Sequence, residues 1–204
     1  MKQRIEQKFE INSSEYITFL KWLNFKNAKI IFPERIICSR YLDTNNYKMF
    51  LDTCEGVLPR KKVRIRSYGS HLFEGTNKEY NLETKFNIEN NRFKEIKSNI
   101  NIKTFFDKPF FVKNYGMCYP KIDISYLREY FILDGIRITI DKDINYDFKG
   151  TSNNRDRIKD KKFVVEIKAS FDTDIDFLLN NIYFSRTRFS KYERGMSNYI
   201  NYAI

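Results

Sequence analysis

Apolar and charged residues alternate with a period of two in segment after segment of this chain, whereas helical spacing is confined to short stretches. In "RIEQKFEI" Arg4, Glu6, Lys8 and Glu10 alternate with Ile5, Phe9 and Ile11, and Gln7 is the one polar exception. "KVRIR" sets Lys62, Arg64 and Arg66 against Val63 and Ile65, and "NLETKFNI" sets Glu83 and Lys85 against Leu82, Thr84 and Phe86. "GIRITID" sets Arg137, Thr139 and Asp141 against three isoleucines, and "KFVVEIKAS" sets Glu166 and Lys168 against Val165 and Ile167. "DISYLREYFIL" puts Arg128 on the face of Tyr126 and Tyr130. Successive side chains of a strand point to opposite faces, so each segment predicts a strand with one apolar and one charged face.

Helical spacing predicts five short elements. "NSSEYITFLKWLNF" opens with Asn12 three residues before Glu15, a capping-box arrangement, and "NNYKMFLDTCEG" is closed by Gly56. "NNRFKEIKSNI", "DTDIDFLLNN" and "SKYERGMSNYINY" follow, the last with Ser190 as N-cap and Glu193 as its reciprocal partner. The expected class is α+β, mainly β, with short helices packed on a sheet.

Any one of these strands is explained by an antiparallel sheet with one face in water. Their repetition points instead to a closed antiparallel barrel, apolar residues outward under the helices and charged residues inward. Its interior would hold Arg4, Lys8, Lys62, Arg64, Arg66, Lys85, Arg128, Arg137 and Lys168 against Glu6, Glu83, Asp141 and Glu166. Unpaired buried cations are costly, so such an interior calls for a multivalent anion, with a divalent metal to compensate the carboxylates. A chain of phosphates meets both demands.

Composition narrows the chemistry. At 204 residues, with 42% hydrophobic residues and no low-complexity linker, one domain spanning 1–204 is expected. The net charge of +11 predicts an anionic partner. Nucleic acid is the usual one, but the Glu and Asp residues interspersed along the charged strands would repel its backbone and disfavour it. His71, beside the Gly69 turn, is the one histidine, and Cys38, Cys54 and Cys118 form no CxxC pair. Histidine triads, HExxH centres, zinc sites and disulfide frameworks are thereby set aside. Carboxylate oxygens are the available metal ligands, and they suit Mg2+ or Mn2+. No GxxxxGK[ST] loop occurs, so side chains would have to replace the backbone phosphate cradle. The charged start "MKQRIEQKFE" and the lack of any run near the roughly 20 apolar residues of a span predict a cytoplasmic protein without a membrane span.

Taken in order, "RIEQKFEI", "YLDTNNYKMF", "KVRIRSYG", "LETKF", "YLREYF", "IRITID", "VVEIK" and "RFSKYERGM" resemble the triphosphate tunnel metalloenzymes of the CYTH-like superfamily, and most closely their VTC branch, the polyphosphate polymerase domain. The resemblance runs from Arg4 to about Tyr199. It implies a closed eight-stranded antiparallel tunnel that performs metal-dependent phosphoryl transfer on ATP, another nucleoside triphosphate, or polyphosphate. Carried over by position, Lys8, Arg64, Arg66, Lys85, Arg128, Arg137, Arg188 and Lys191 are the implied phosphate-binding residues, with Tyr126 as hydrogen-bonding companion and Glu166 as metal ligand. All of these except Arg188, Lys191 and Tyr126 make up the implied catalytic set. Lys62 and Lys168 line the same faces as further substrate contacts, and Glu6, Glu83 and Asp141 are subsidiary metal candidates. Glu83 also reads as a buried counter-ion holding neighbouring arginines.

The implied activity is polyphosphate synthesis from ATP with Mn2+ or Mg2+. A triphosphatase of the same fold is the alternative when water is the acceptor. Outside catalysis, a polyphosphate-sensing tunnel or a nucleic-acid-binding module remain as further readings. Two departures stand out. Where the CYTH branch has ExExK, this chain has Arg4 in place of the first carboxylate, which favours the VTC branch. The SPX domain and membrane segments of the eukaryotic complex have no counterpart in this chain.

Overall fold

The computed structural model describes residues 4–69, 80–89, 91–100, 108–149, 157–179 and 184–203, and His71 lies outside them. The strands are β1 (Arg4–Ile11), β2 (Lys29–Asp43), β3 (Arg60–Tyr68), β4 (Asn81–Ile88), β5 (Asn91–Lys97), β6 (Phe110–Val112), β7 (Gly116–Leu133), β8 (Ile136–Phe148), β9 (Arg157–Lys159) and β10 (Phe163–Ser170). The helices are α1 (Ser13–Phe25), α2 (Lys48–Cys54), α3 (Ile175–Leu178) and α4 (Lys191–Ala203). The class is therefore mainly β with short helices, as the alternation predicts.

Hydrogen-bonded neighbours follow the order β1-β10-β8-β7-β2-β3-β4-β5, with β6 on β7 and β9 on β8. Eight strands lie on this path, but among the described residues it ends at β1 and β5 without closing, which corrects the expectation of a closed barrel. Irregular chain meets the edge of β1 instead: Phe9 bridges to Arg186, and the Thr187 amide donates to the Lys8 carbonyl at 2.9 Å. At the other end, every residue of β5 is exposed.

The helix expected over 90–100 is a second correction, because Asn91–Lys97 is strand β5. Phe93, Ile96 and Ile100 fall at helical spacing, yet β4 needs a ladder partner for its backbone groups, and Phe93 sits directly across from Phe86. The other helices form where predicted. Asn12 accepts from the amides of Ser14 and Glu15 at 2.9 and 3.0 Å, and Glu15 accepts in return from the Asn12 amide at 2.7 Å.

Contacts divide the chain into two compact units. The first comprises Met1–Arg35, Tyr126–Ile144 and Lys159–Phe189; the second comprises Ile36–Ser125, Asn145–Ile158 and Ser190–Ile204. In the first, Phe9, Ile11, Ile138, Ile140, Val165 and Ile167 pack with Phe19, Trp22 and Leu23 of α1. In the second, Leu42, Met49, Val63, Ile65, Tyr80, Leu82, Val112 and Cys118 form the core. The alternation of β1, β3 and β10 thus buries the odd-numbered residues in these cores and directs the even-numbered ones to the opposite faces.

Candidate functional site

In the first unit, antiparallel register lines up charged residues across three strands. Lys8 stands opposite Glu166 and Glu166 opposite Thr139; Glu6 stands opposite Lys168 and Lys168 opposite Arg137. The four neighbouring charges are cross-linked. Lys8 Nζ lies 3.2 Å from Glu6 and 3.8 Å from Glu166, and Lys168 Nζ lies 3.2 Å from Glu6 and 2.8 Å from Glu166. Burial pushes the Glu166 carboxyl up, but Lys168, Lys8 and Arg128 outweigh it and hold the group well below the carboxylate range. Glu6 is lowered more weakly, since both burial and the Glu166 charge oppose its two lysines.

Arg128 donates to both carboxylate oxygens of Asp141, Nε at 2.5 Å and Nη2 at 2.7 Å, and lies over the Tyr126 ring. Lys8 also donates to the Phe189 carbonyl at 3.1 Å, next to exposed Arg188. Arg137 is exposed.

The second unit's face is more one-sided. Strands β3, β4 and β5 place Lys62 opposite Lys85 and Lys85 opposite Lys94, three lysines abreast. One row along, Arg64 stands between Tyr41 and Glu83, and in the next Arg66 stands between Ser39 and Asn81. Glu83, 1% exposed, is the carboxylate inside this array. It accepts from Arg64 Nε and Lys94 Nζ, each at 2.7 Å, with Arg66 at 3.6 Å. Burial raises the Glu83 carboxyl, while Arg64, Arg66 and Lys94 bring it down to about 2. Arg64 Nη1 donates to the Tyr41 hydroxyl at 2.8 Å, and the Tyr41 ring stacks on Tyr192 at 4.8 Å. Tyr192 donates to Asp43 at 2.5 Å, and Asp43 accepts from the Met49 and Phe50 amides in the first turn of α2, each at 2.9 Å. Lys62 donates to Ser190 at the start of α4, one residue before Lys191.

The predicted residues divide between the two units. Lys8, Tyr126, Arg128, Arg137, Glu166, Lys168 and Arg188 belong to the first unit; Lys62, Arg64, Arg66, Lys85 and Lys191 belong to the second. Two of the subsidiary metal candidates are engaged by arginines, Asp141 by Arg128 and Glu83 by Arg64.

Two residues of the second face escape sequence reasoning. Lys94 lay in a segment with helical spacing, so its alignment with Lys85 appears only once β5 pairs with β4. Tyr41 sits in "RYLD", flanked by Arg40 and Leu42, and its place beside Arg64 depends on the β2–β3 register.

The candidate donors for a divalent metal are Glu166 and Glu6, whose charges are shared by the same two lysines. Among the described residues no group of three or more His, Cys, Asp or Glu side chains forms a cage. A two-carboxylate site nevertheless fits magnesium or manganese, which commonly takes one or two carboxylates and completes its shell with phosphate oxygens and water.

The VTC domain family model matches residues 3–109 and 107–200, and the chain belongs to this family. No curated protein matches it by sequence. Many solved structures resemble it, among them the following two. A candidate adenylate cyclase from Vibrio parahaemolyticus has 13% identity and a TM-score of 0.54, over 96% of this chain and 98% of that one. A candidate adenylyl cyclase from Hippeastrum, described as having a dominant triphosphatase activity, has 13% identity and a TM-score of 0.56, over 97% and 96%. Among the described residues no helix is long and apolar enough to cross a membrane.

Proposed function

We propose that this protein is a metal-dependent phosphotransferase that acts on nucleoside triphosphates or polyphosphate, and that it synthesises polyphosphate from ATP. One observation carries the reading. The second unit places Lys62, Lys85, Lys94, Arg64 and Arg66 in adjacent rows of one sheet face around the buried carboxylate of Glu83. Such a face binds a strongly multivalent anion, because each added phosphate oxygen relieves repulsion between cations already held in place. Membership of the VTC family supports the choice of polyphosphate as product.

In this mechanism the arginines and lysines orient the chain of phosphates and spread the negative charge that accumulates on the oxygens during transfer. Arg64 is held between Glu83 and Tyr41 before substrate arrives, so little reorganisation is needed. Within the first unit, Glu166 and Glu6 would hold Mg2+ or Mn2+; when bound, the ion would supply charge neutralisation to phosphate oxygens. Lys8 and Lys168, which pair with those carboxylates, would then be free to donate hydrogen bonds to phosphate oxygens.

Hydrolysis is the competing reading, favoured by the triphosphatase activity described for the Hippeastrum protein. Incubation of the pure protein with ATP and manganese, followed by gel electrophoresis and phosphate release, separates the two. A ladder of long chains supports synthesis, phosphate release without chains assigns a triphosphatase, and neither product rejects phosphoryl transfer.

A further inference from the structure

Tyr41 is buried, with 7% of its surface exposed, and its environment is unusual for a phenol. Arg64 Nη1 donates to its oxygen at 2.8 Å, and the same guanidinium lies 5.7 Å from the ring centroid. Its own O–H has no acceptor among the described residues. The charged groups around it come from β3 (Arg64 and Arg66) and β4 (Lys85), with Glu83 of β4 tied up by Arg64 and Lys94. From α4 it meets the Tyr192 ring, whose own hydroxyl is committed to Asp43. A buried oxygen that accepts from a guanidinium and donates to nothing is suited to carry negative charge.

We infer that Tyr41 is an additional anion-site residue: in the ligand-free protein its phenolate is a counter-ion of Arg64, and a phosphate chain arriving on this face displaces that role. As the phosphate oxygens neutralise Arg64, Arg66 and Lys85, the phenolate takes one proton from solvent. The new O–H then donates to a phosphate oxygen. This rests on the proposed binding of phosphate to the Arg64 face. Burial alone would raise the phenol, but the Arg64, Arg66 and Lys85 charges bring it down to about 7, so the exchange falls in the neutral range.

The test uses the full chain, tyrosinate absorbance in the near ultraviolet, and inorganic tripolyphosphate as probe. Without ligand, one tyrosine should ionise near neutral pH, well apart from the ordinary range near 10. Tyr41→Phe should remove that step, and saturating tripolyphosphate should suppress it in the parent. Calorimetry at pH about 8 in two buffers of different ionisation enthalpy should show that the parent takes up more protons on binding than Tyr41→Phe, by up to one per site.

If tripolyphosphate binds and no tyrosine ionises near neutrality, the inference is overturned while the binding site stands. If the step survives in Tyr41→Phe, or persists unchanged under ligand, the assignment to Tyr41 or its coupling to the anion is wrong. If the tyrosine step is present but tripolyphosphate does not bind, the proposed function fails and the coupling fails with it.

Discussion

Glu83→Gln tests the basic array directly, because the substitution preserves shape and removes the one carboxylate on which Arg64, Arg66 and Lys94 converge. The folded protein holds this carboxyl at about 2, against an ordinary 4.5. At about 1.4 kcal/mol for each pH unit, the difference corresponds to about 3 kcal/mol of stability. Removing one member of a buried ion pair costs about 3–5 kcal/mol, which agrees in size. Because the folded-state value is depressed, this contribution is complete above about pH 4.5 and is lost as the pH falls towards 2.

Urea denaturation at pH 7 should therefore find Glu83→Gln less stable by about 3 kcal/mol. The gap between parent and variant should narrow below pH 4.5 and close near pH 2. Tripolyphosphate should raise the melting temperature of the variant more than that of the parent, since the anion enters a more positive face. An unchanged midpoint at pH 7, or a gap that stays constant down to pH 2, would refute the electrostatic account of this carboxylate.

Arg66→Ala and Lys94→Ala should each weaken tripolyphosphate binding by roughly ten-fold or more, read by calorimetry, since a charge-assisted contact is worth about 1.5–3 kcal/mol. Glu166→Gln should abolish metal-dependent turnover of ATP while tripolyphosphate binding stays measurable; normal turnover would remove Glu166 from the metal site. Gly195→Ala should lower stability by about 1–3 kcal/mol in thermal melts, because its Cβ would stand 2.5 Å from the Ile122 side chain and 2.8 Å from the Tyr146 ring, both fully buried.

The two faces of each strand were legible because a strand has a fixed period: once "KVRIR" is extended, Val63 and Ile65 must part from Arg64 and Arg66. The capping box of α1 was legible for the same local reason. What one strand's pattern does not carry is register. The opposition of Lys85 to Lys94, of Tyr41 to Arg64 and of Lys8 to Glu166 arises from pairing between segments 9 to 158 residues apart in sequence. Segment 91–97 shows the limit from the other side. Three apolar residues at spacings of three and four suit a helix, and the long-range need of β4 for a partner overrides them.

The three lysines abreast on β3, β4 and β5 also bear on how the protein behaves in a buffer. Lysines at matched positions on three neighbouring strands draw mobile counter-ions from any solution, so in practice the face works as an ion exchanger. An affinity measured for a phosphate chain is then an exchange constant that includes the release of whatever anions were held before. It will fall as chloride is replaced by sulfate or inorganic phosphate. In a cytosol-like mixture of small anions, longer phosphate chains gain the advantage, because one polyanion displaces several monovalent or divalent ions at once.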